Sequence, residues 1–328
     1  MSGLDPKFVS THPELHHYTT FDGLVGITQN NSLWATHFSQ LNDTSELNVL
    51  KQPLIDVLKQ RFFITLRAKQ SKSVRLRLAI RASGGLDKTA ADVAGALVNT
   101  LHEVTFEGGG EIDFGEPFIS SFCSHYADQE YERSNGLLSQ WRAYGGQGGY
   151  CIVFDAAAIG DLLVREAEEF YYAHVDLDAV HYARDGVPLS ETFPMLLQHC
   201  EQILEDVTDR VEIKAGAAFG PFVSGAALLK HQGFLEEREV RIVALRGSKA
   251  LLDAEVREGG KAKPIKPIHT NNATKKRYIK LFETLGTKLP INRIIVGPSR
   301  DQSGNYERAR AILGNRPTIV LSQTPFIG

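Results

Sequence analysis

KHQGFLEEREVR, residues 230–241, leads directly into the apolar run IVAL at residues 242–245. This pattern predicts a loop that enters a β-strand. Successive side chains of a strand point to opposite faces, so Glu237, Glu239 and Arg241 are expected together on one face. Two carboxylates on one face repel each other unless a cation, a metal or a ligand hydroxyl takes up their charge. The stretch therefore predicts either a functional site or an exposed strand face with a weak salt bridge.

Length and composition are those of an ordinary soluble protein. The chain has 328 residues, 42% of them hydrophobic, and 36 basic against 39 acidic side chains give a formal net charge of -3. Two runs of seven basic residues without an acid stand out, at 61–81 and 261–280. Solvated helix and loop faces explain these runs better than a phosphate-binding surface, and nucleic acid stays an alternative partner.

Cysteine usage and the amino terminus bear on localisation. Cys123, Cys151 and Cys200 are an odd number without CxxC or His/Cys spacing, which favours a reducing cytoplasm over a disulfide framework or a zinc site. The first residues lack a basic start followed by an apolar core, and no apolar run approaches the ~18 residues that span a bilayer. We therefore expect a cytoplasmic protein that neither binds nor crosses a membrane.

Helix and strand patterns along the chain predict an α+β protein, for which we expect a split, mainly antiparallel sheet. Apolar residues between Thr89 and Phe106 recur at three and four positions, as in an amphipathic helix. Short apolar runs at 118–123, 150–155 and 293–297 are typical of buried strands. Without repeats or a Pro/Ser linker, we expect one domain over 1–328, with helical insertions at about 50–107 and 190–230. Within the second insertion, the glycine- and alanine-rich stretch from Ala215 to Leu229 is expected to be a connection that leads back to the acidic strand.

Four blocks of residues, in this order, resemble a bacterial family. They are His17-Tyr18-Thr19 with Leu41-Asn42-Asp43 and Glu46, Phe122-Cys123, Trp141 to Tyr144 leading through the glycines of 145–149 to Phe154-Asp155, and Lys230-His231 through Phe234, Glu237, Glu239 and Arg241. The family is DUF2971, of uncharacterised function, and the resemblance extends from about His16 to Pro298. Its name implies no chemistry.

A second resemblance, to ADP-ribosyltransferases, does imply chemistry. Those enzymes place His-x-Ser/Thr on an early strand, an aromatic residue in mid-domain and a glutamate on a late strand. His17-Tyr18-Thr19 matches the first element and Glu239 the third. Tyr144 is the candidate for the second, in competition with Tyr150, Tyr171 and Tyr172.

The resemblance implies that NAD is the substrate, that no metal is needed and that the nicotinamide glycosidic bond is cleaved. Cleavage develops oxocarbenium-like charge on the ribose, as in glycoside hydrolysis. Glu239 would stabilise that charge, and Glu237 would assist or act as general base toward the acceptor. The acceptor of ADP-ribose, macromolecule or small molecule, is not specified by the sequence.

The resemblance also implies how NAD would be bound. His17, within His17-Tyr18-Thr19, would hold the ribose by a hydrogen bond, and Tyr144 would stack on the nicotinamide ring. Arg142 or Arg241 would pair with the pyrophosphate, because a planar guanidinium fits phosphate oxygens well.

Two alternatives use the same residues differently. In a Mg²⁺-dependent nuclease, Glu237, Glu239 and Asp155 would bind the metal and Lys230 would stabilise the scissile phosphate. In a non-catalytic sensor or interaction module of bacterial stress response or phage defence, substitution of either glutamate would leave the phenotype unchanged.

Overall fold

The computed structural model describes residues 4–41, 48–107, 115–126, 128–145, 148–183, 189–212, 216–315 and 317–325. Within these ranges the helices are α1 Pro6–Thr11, α2 Phe21–Asn30, α3 Lys51–Lys72, α4 Val74–Ala82, α5 Leu86–His102, α6 Glu130–Asn135, α7 Leu138–Tyr144, α8 Ala156–Glu169, α9 Leu189–Thr192, α10 Pro194–Asp209, α11 Gly216–Leu228, α12 Lys249–Arg257 and α13 Gln302–Leu313. Short 3-10 helices lie at Phe38–Gln40 and Gln232–Glu237, and a π-helical turn at Glu103–Glu107 continues α5.

The strands of the described residues are β1 Glu14–Thr19, β2 Leu33–His37, β3 Glu116–Cys123, β4 Tyr150–Asp155, β5 His174–Ala179, β6 His181–Ala183, β7 Leu229–His231, β8 Glu239–Arg246, β9 His269–Thr270, β10 Arg277–Leu281, β11 Ile291–Val296 and β12 Thr318–Leu321. All strand pairs of the main sheet are antiparallel except β11 with β12. The expected α+β class with a mainly antiparallel sheet is confirmed.

Local side chains define several element boundaries. The Thr20 hydroxyl accepts from the amide of Gly23 at the start of α2, and Asn31 ends that helix in the left-handed region, with φ 52°. The Asp155 carboxylate accepts from the amide of Ala158 and so begins α8 directly after β4. Asn and Asp suit such positions, because their short polar side chains replace missing helical hydrogen bonds.

The sheet forks along β3. One edge of β3 pairs with β8 over its whole length. The other edge pairs with β2 only at Phe118 and Ile119, and with β1 only at Cys123. The strands β1, β4, β11 and β12 continue on one side of the fork, and β2, β10 and β9 on the other. Between them, residues 120–122 have no strand partner on that edge among the described residues, so a cleft opens there.

Helices cover the central strands on one face. The helices of the expected insertions, α3 to α5 and α9 to α11, pack with Ile119 of β3 and with Val243 and Leu245 of β8 in one apolar core. The opposite sheet face forms a second core with α2, α8 and α13. The residues predicted as insertions, at about 50–107 and 190–230, therefore supply the helical layer on this face of the sheet.

Two expectations about the chain around β8 need correction. Residues 216–228, expected as a glycine- and alanine-rich connection, form the buried helix α11. Glu237, expected on the strand beside Glu239, ends the 3-10 helix that precedes β8. Arg238 separates the two glutamates in a left-handed conformation, with φ 45°, and this kink breaks the strand alternation.

None of the helices in the described ranges combines the length and the apolar character needed to cross a bilayer. The three cysteines are buried free thiols.

Candidate functional site

The cleft at the fork has a volume of about 490 Å³, which is within the range of small-molecule sites. Both branches of the fork line it, together with β3, β8 and the segments above them. The lining residues are His16, His17, Tyr18, Trp34, Thr36, Gln40, Leu41, Ile119, Ser120, Ser121, Phe122, Cys123, Gln140, Tyr144, Lys230, Phe234, Glu237, Glu239, Arg241 and Lys276.

Strand register explains why the charged residues of β8 face the cleft. In antiparallel pairs, opposite residues point to the same face, and Cys123 pairs with Glu239 as Ser121 pairs with Arg241. Val240 and Ile242 belong to the apolar core on the other face. The predicted alternation of Glu239 and Arg241 against these apolar residues is thus present in the structure.

Four charged side chains form the floor of the cleft: Lys230, Glu237, Glu239 and Arg241. We call these four residues the charge cluster. The Lys230 ammonium donates to Glu237 at 2.6 Å and to Glu239 at 3.2 Å. Arg241 donates from Nε and Nη2 to the two oxygens of Glu239, each at 2.8 Å. Two cations and two carboxylates therefore balance each other in a largely buried site.

Glu239 is the most constrained member of the charge cluster. Burial raises its pKa, but the charge and hydrogen bonds of Arg241, the charge of Lys230 and a hydrogen bond from Ser121 together lower it below the ordinary value. The carboxylate is therefore ionised and already accepts hydrogen bonds from three side chains. A ligand hydroxyl could reach Glu239 only in competition with these donors.

Glu237 is more open. Its side chain is 28% exposed, against 9% for Glu239, and Lys230 is its one charged partner among the described residues. The kink at Arg238 places it at the cleft wall, although it is not on β8. Glu237 is thus the carboxylate with acceptor capacity toward a ligand.

Arg241 does not have the predicted freedom to pair with a phosphate. Two of its nitrogens donate to Glu239, and Nη1 donates to the carbonyl oxygen of Ala227 at 2.6 Å. This guanidinium ties β8 to the end of α11 and orients Glu239. The expected contact of Arg241 with the pyrophosphate would have to compete with these hydrogen bonds.

His17 of β1 lies at the fork itself. Its Nδ1 is 3.1 Å from the carbonyl oxygen of Ser121, which lies where β3 has no strand partner on this edge among the described residues. A carbonyl only accepts, so Nδ1 carries the hydrogen and Nε2 is an acceptor. Burial lowers the pKa of His17, so the ring is neutral at pH 7. In this tautomer Nε2 of His17 has the acceptor capacity that the predicted contact with a ribose hydroxyl requires.

Tyr18 and Thr19, the two residues that follow His17, differ in their position relative to the cleft. Tyr18 lines the cleft, and its hydroxyl accepts from the amide of Leu137 at 2.7 Å, at the start of α7. Thr19 does not line the cleft, because it lies one position further along β1, opposite Tyr150 near the strand end. The expected ligand-binding role of Thr19 is therefore corrected: its side chain points to the face opposite Tyr18.

Helix α7 carries Tyr144 to the cleft. The Trp141 ring packs edge-on against Tyr18 at 4.8 Å between centroids, which fixes the helix over β1. Gln140 and Tyr144, four positions apart, then share the face that lines the cleft. Arg142 lies on another face of the same turn and is exposed outside the cleft, which corrects its expected role toward pyrophosphate. Tyr150, a competing candidate, is buried with its hydroxyl donating to Asn305.

Several cleft residues were not in the predicted binding and catalytic set. Lys230 was considered only for a phosphate contact, yet it bridges both glutamates. Ser121, Trp34 and Lys276 come from segments with no chemical signature of their own. Only the fork of the sheet brings them together, and a local pattern in the sequence does not specify it.

Other expected residues lie elsewhere. Asp155, the third metal ligand of the nuclease alternative, caps α8 and does not line the cleft. Asn42, Asp43 and Glu46 lie outside the described residues. In the first basic run Arg61 and Lys69 pair with acids of α10, and in the second Lys266 is buried against Glu166 at 2.6 Å.

Two histidines next to the cleft predict a pH-dependent stability. The rings of His16 and His125 lie 4.7 Å apart, and both ring nitrogens of His125 lack a partner among the described groups. Burial lowers the pKa of His16 below its ordinary value of 6.5. The pKa of His125 is lowered to about 3, mainly by burial and in addition by the nearby charge of His16. In the unfolded chain both groups have the ordinary value of 6.5. Below pH 6.5 the unfolded chain therefore binds more protons than the folded one.

We expect the free energy of unfolding to fall between pH 7 and pH 5, by about 2 kcal/mol for each of these histidines. Urea unfolding at the two pH values measures the change. His125→Gln should remove its share of the difference, and an unfolding free energy equal at both pH values would contradict the prediction.

Neither a curated protein nor a solved structure matches the chain at a significant level. Residues 140–242 match the sequence profile described as "Protein of unknown function (DUF2971)". The matched segment extends from α7 into β8 and contains Tyr144 and the whole charge cluster, whereas the resemblance was expected from about His16 to Pro298. Over this segment the match supports the resemblance to the DUF2971 family that the residue blocks predict.

Proposed function

We propose that this protein is an NAD-dependent ADP-ribosyltransferase-like enzyme that cleaves the nicotinamide glycosidic bond. One observation carries the proposal. Three residues line one cleft at the fork of an antiparallel sheet: His17, whose Nδ1 pairs with a backbone carbonyl, the aromatic Tyr144, and Glu237, a carboxylate with acceptor capacity. These are the groups needed to hold a ribose, stack a planar ring and stabilise a developing positive charge.

The geometry supports different roles for the two glutamates. Glu237 is the catalytic carboxylate, since it faces the cleft and has Lys230 as its charged partner. Glu239 is a positioning residue, which holds Lys230 and Arg241 by direct hydrogen bonds. The resemblance to ADP-ribosyltransferases assigns the charge-stabilising role to Glu239 on the strand, whereas this arrangement assigns it to Glu237.

The proposed reaction breaks the bond between C1′ of the ribose and the pyridinium nitrogen. Nicotinamide leaves with the bonding electron pair as a neutral molecule, and positive charge develops on the ribose. The acceptor's nucleophile then forms a bond to C1′ and gives its proton to Glu237, or to water through Glu237. His17 accepts a hydrogen bond from a ribose hydroxyl and so fixes the sugar during the step.

Release of nicotinamide from NAD by the purified full-length chain tests the proposal. NAD labelled in its adenine ring is incubated with the protein, with and without cell lysate, and label on macromolecules is followed in parallel. Nicotinamide release together with transfer of label to lysate macromolecules supports the transferase, and release without transfer shows water as the acceptor. Absence of release under both conditions, with no NAD binding by calorimetry, contradicts the proposed function.

A further inference from the structure

Three rings form a ladder across the branch of the fork that carries β2, β10 and β9. Trp34 of β2 stacks on Tyr278 of β10, with centroids 3.9 Å apart and planes inclined by 19°. Tyr278 in turn lies 5.4 Å from His269 of β9, at 28°. Register explains the ladder, because Tyr278 pairs directly with His269 and lies diagonally from Trp34 on the same sheet face.

Trp34 is the outer ring of this ladder and the most accessible. It is 39% exposed and lines the cleft, whereas Tyr278 is buried beneath it. Exposing an indole to water forfeits a large apolar contact area, so an exposed indole held flat against a second ring is a ready stacking surface for a planar ligand.

Lys276 supplies a cation next to this surface. It precedes β10 at the end of the β9–β10 hairpin and lines the cleft together with Trp34. The Asn271 side chain accepts from two amides of the hairpin turn and fixes its tip. Other cations of the same basic run have internal partners, as Arg277 has Glu116 and Lys280 has Glu283. Within the described part of the chain the Lys276 ammonium makes no ion pair.

We propose that Trp34 and Lys276 form a docking surface for single-stranded nucleic acid at the mouth of the cleft, with a base stacked on Trp34 and a neighbouring phosphate paired with Lys276. Stacking on an aromatic ring accepts any base, and it requires a base that is not covered on both faces as in a duplex. Only in naming the strand as the acceptor of ADP-ribose does the inference rest on the proposed function. The binding itself does not.

The surface adjoins the charge cluster through the cleft. A strand held at Trp34 would extend a neighbouring nucleotide toward Glu237, which lines the same cleft. The acceptor of ADP-ribose would then be a base or a sugar of that nucleotide, because the strand is held next to Glu237.

Binding of labelled oligonucleotides tests the surface without NAD. Fluorescence anisotropy is measured with single strands of about eight deoxyadenosines or deoxythymidines, a length within the usual site size, and with a longer hairpin whose two arms pair as a stable duplex as control. We expect the single strands to bind and the duplex to bind at least tenfold more weakly. Intrinsic fluorescence gives a second readout, since Trp34 and Trp141 are the two tryptophans and Trp141 is buried.

Variants locate the binding. Trp34→Ala should weaken single-strand binding by about tenfold to a hundredfold, and Trp34→Phe should retain most of it because the ring remains. Lys276→Gln should reduce the slope of log Kd against log salt by about 0.7, as expected for one lost phosphate contact on a single strand. Tyr131→Ala, at an exposed ring outside the cleft, and Lys261→Gln, at an exposed lysine of the same basic run, are the matched controls.

Failure of all single strands to bind would overturn the inference, whether or not the protein releases nicotinamide. An equal loss of binding in the control variants would also overturn it. The same holds if NAD quenches the fluorescence of Trp34 and oligonucleotides do not, because the surface would then bind the adenine of a dinucleotide. Strand binding that depends on Trp34 and Lys276 would support the inference even if nicotinamide release fails, and in that case only the proposed function is lost.

Discussion

Glu239→Gln is expected to lower the free energy of unfolding by about 3–5 kcal/mol, the usual cost of removing one partner from a buried ion pair. Glutamine has nearly the same shape but no charge, so Lys230 and Arg241 lose their shared counterion in a site where both are buried. Glu237 can still pair with Lys230, at 2.6 Å, whereas Arg241 loses the carboxylate that accepts from its Nε and Nη2. The larger cost is therefore expected at Arg241, which is buried and loses a two-point ion pair.

Urea denaturation followed by circular dichroism measures this loss. The matched control is Glu116→Gln on the neighbouring strand β3, where the pair with Arg277 is about one-third exposed on each side. An exposed pair contributes about 0.2–1 kcal/mol, so the control should change little. An equal effect of the two substitutions would show that the charge cluster does not hold the cleft together.

A double variant separates the charge effect from a packing effect. Arg241→Met combined with Glu239→Gln removes both members of the ion pair while keeping side chains of similar length. If the loss arises from breaking the ion pair, the double variant should be more stable than the sum of the two single effects predicts. Simple additivity would instead attribute the loss to packing.

Local patterns predicted individual strands and helices but not the way they assemble. The apolar run at 150–155 is strand β4 at those same residues, and the three- and four-residue spacing near Thr89 becomes helix α5. In these segments periodicity and tertiary burial agree. The alternation of Glu239 with Val240 is equally local, since it follows from strand geometry alone.

Two predictions near β8 were wrong because the residue pattern does not show what determines the structure there. A left-handed conformation is uncommon for arginine, so the kink at Arg238 has no signature, and Glu237 was expected on the strand. Helix α11 is buried almost all round and therefore lacks an apolar stripe that would distinguish it from a connection. In both places tertiary packing overrides local preference.

The composition of the cleft depends on long-range pairing. Ser121 faces the cleft because β1 and β2 each pair with only one end of β3, and Trp34 belongs to a strand far from β8 in sequence. Lys230 could be connected to both glutamates only after β7 and the following 3-10 helix were known to fold back over β8. No spacing rule predicts such contacts, whereas His17 and Glu239 could be found through the family resemblance.

The second large effect concerns Glu237→Gln. If Glu237 is the catalytic carboxylate of the proposed reaction, the substitution should reduce nicotinamide release by about a hundredfold or more, since removal of one preorganised electrostatic group costs roughly 3 kcal/mol in the transition state. Stability should change by less than about 1 kcal/mol, because the side chain is partly exposed and Lys230 keeps Glu239 as its partner. Steady-state rates, NAD affinity by calorimetry and urea unfolding measure the three quantities on the same samples.

Glu236→Gln is the control for this substitution, because Glu236 is the adjacent acid, is exposed and does not line the cleft. The two glutamines add the same change of charge to the same short helix, so a difference in rate between them can arise only from contact with the cleft. Loss of release in Glu237→Gln with NAD affinity retained would mean that the carboxylate acts in the transition state and not in ground-state binding. Equal activity of both variants would exclude Glu237 as the catalytic group and, given the hydrogen bonds that already occupy Glu239, would leave the cleft without a carboxylate for this reaction among the described residues.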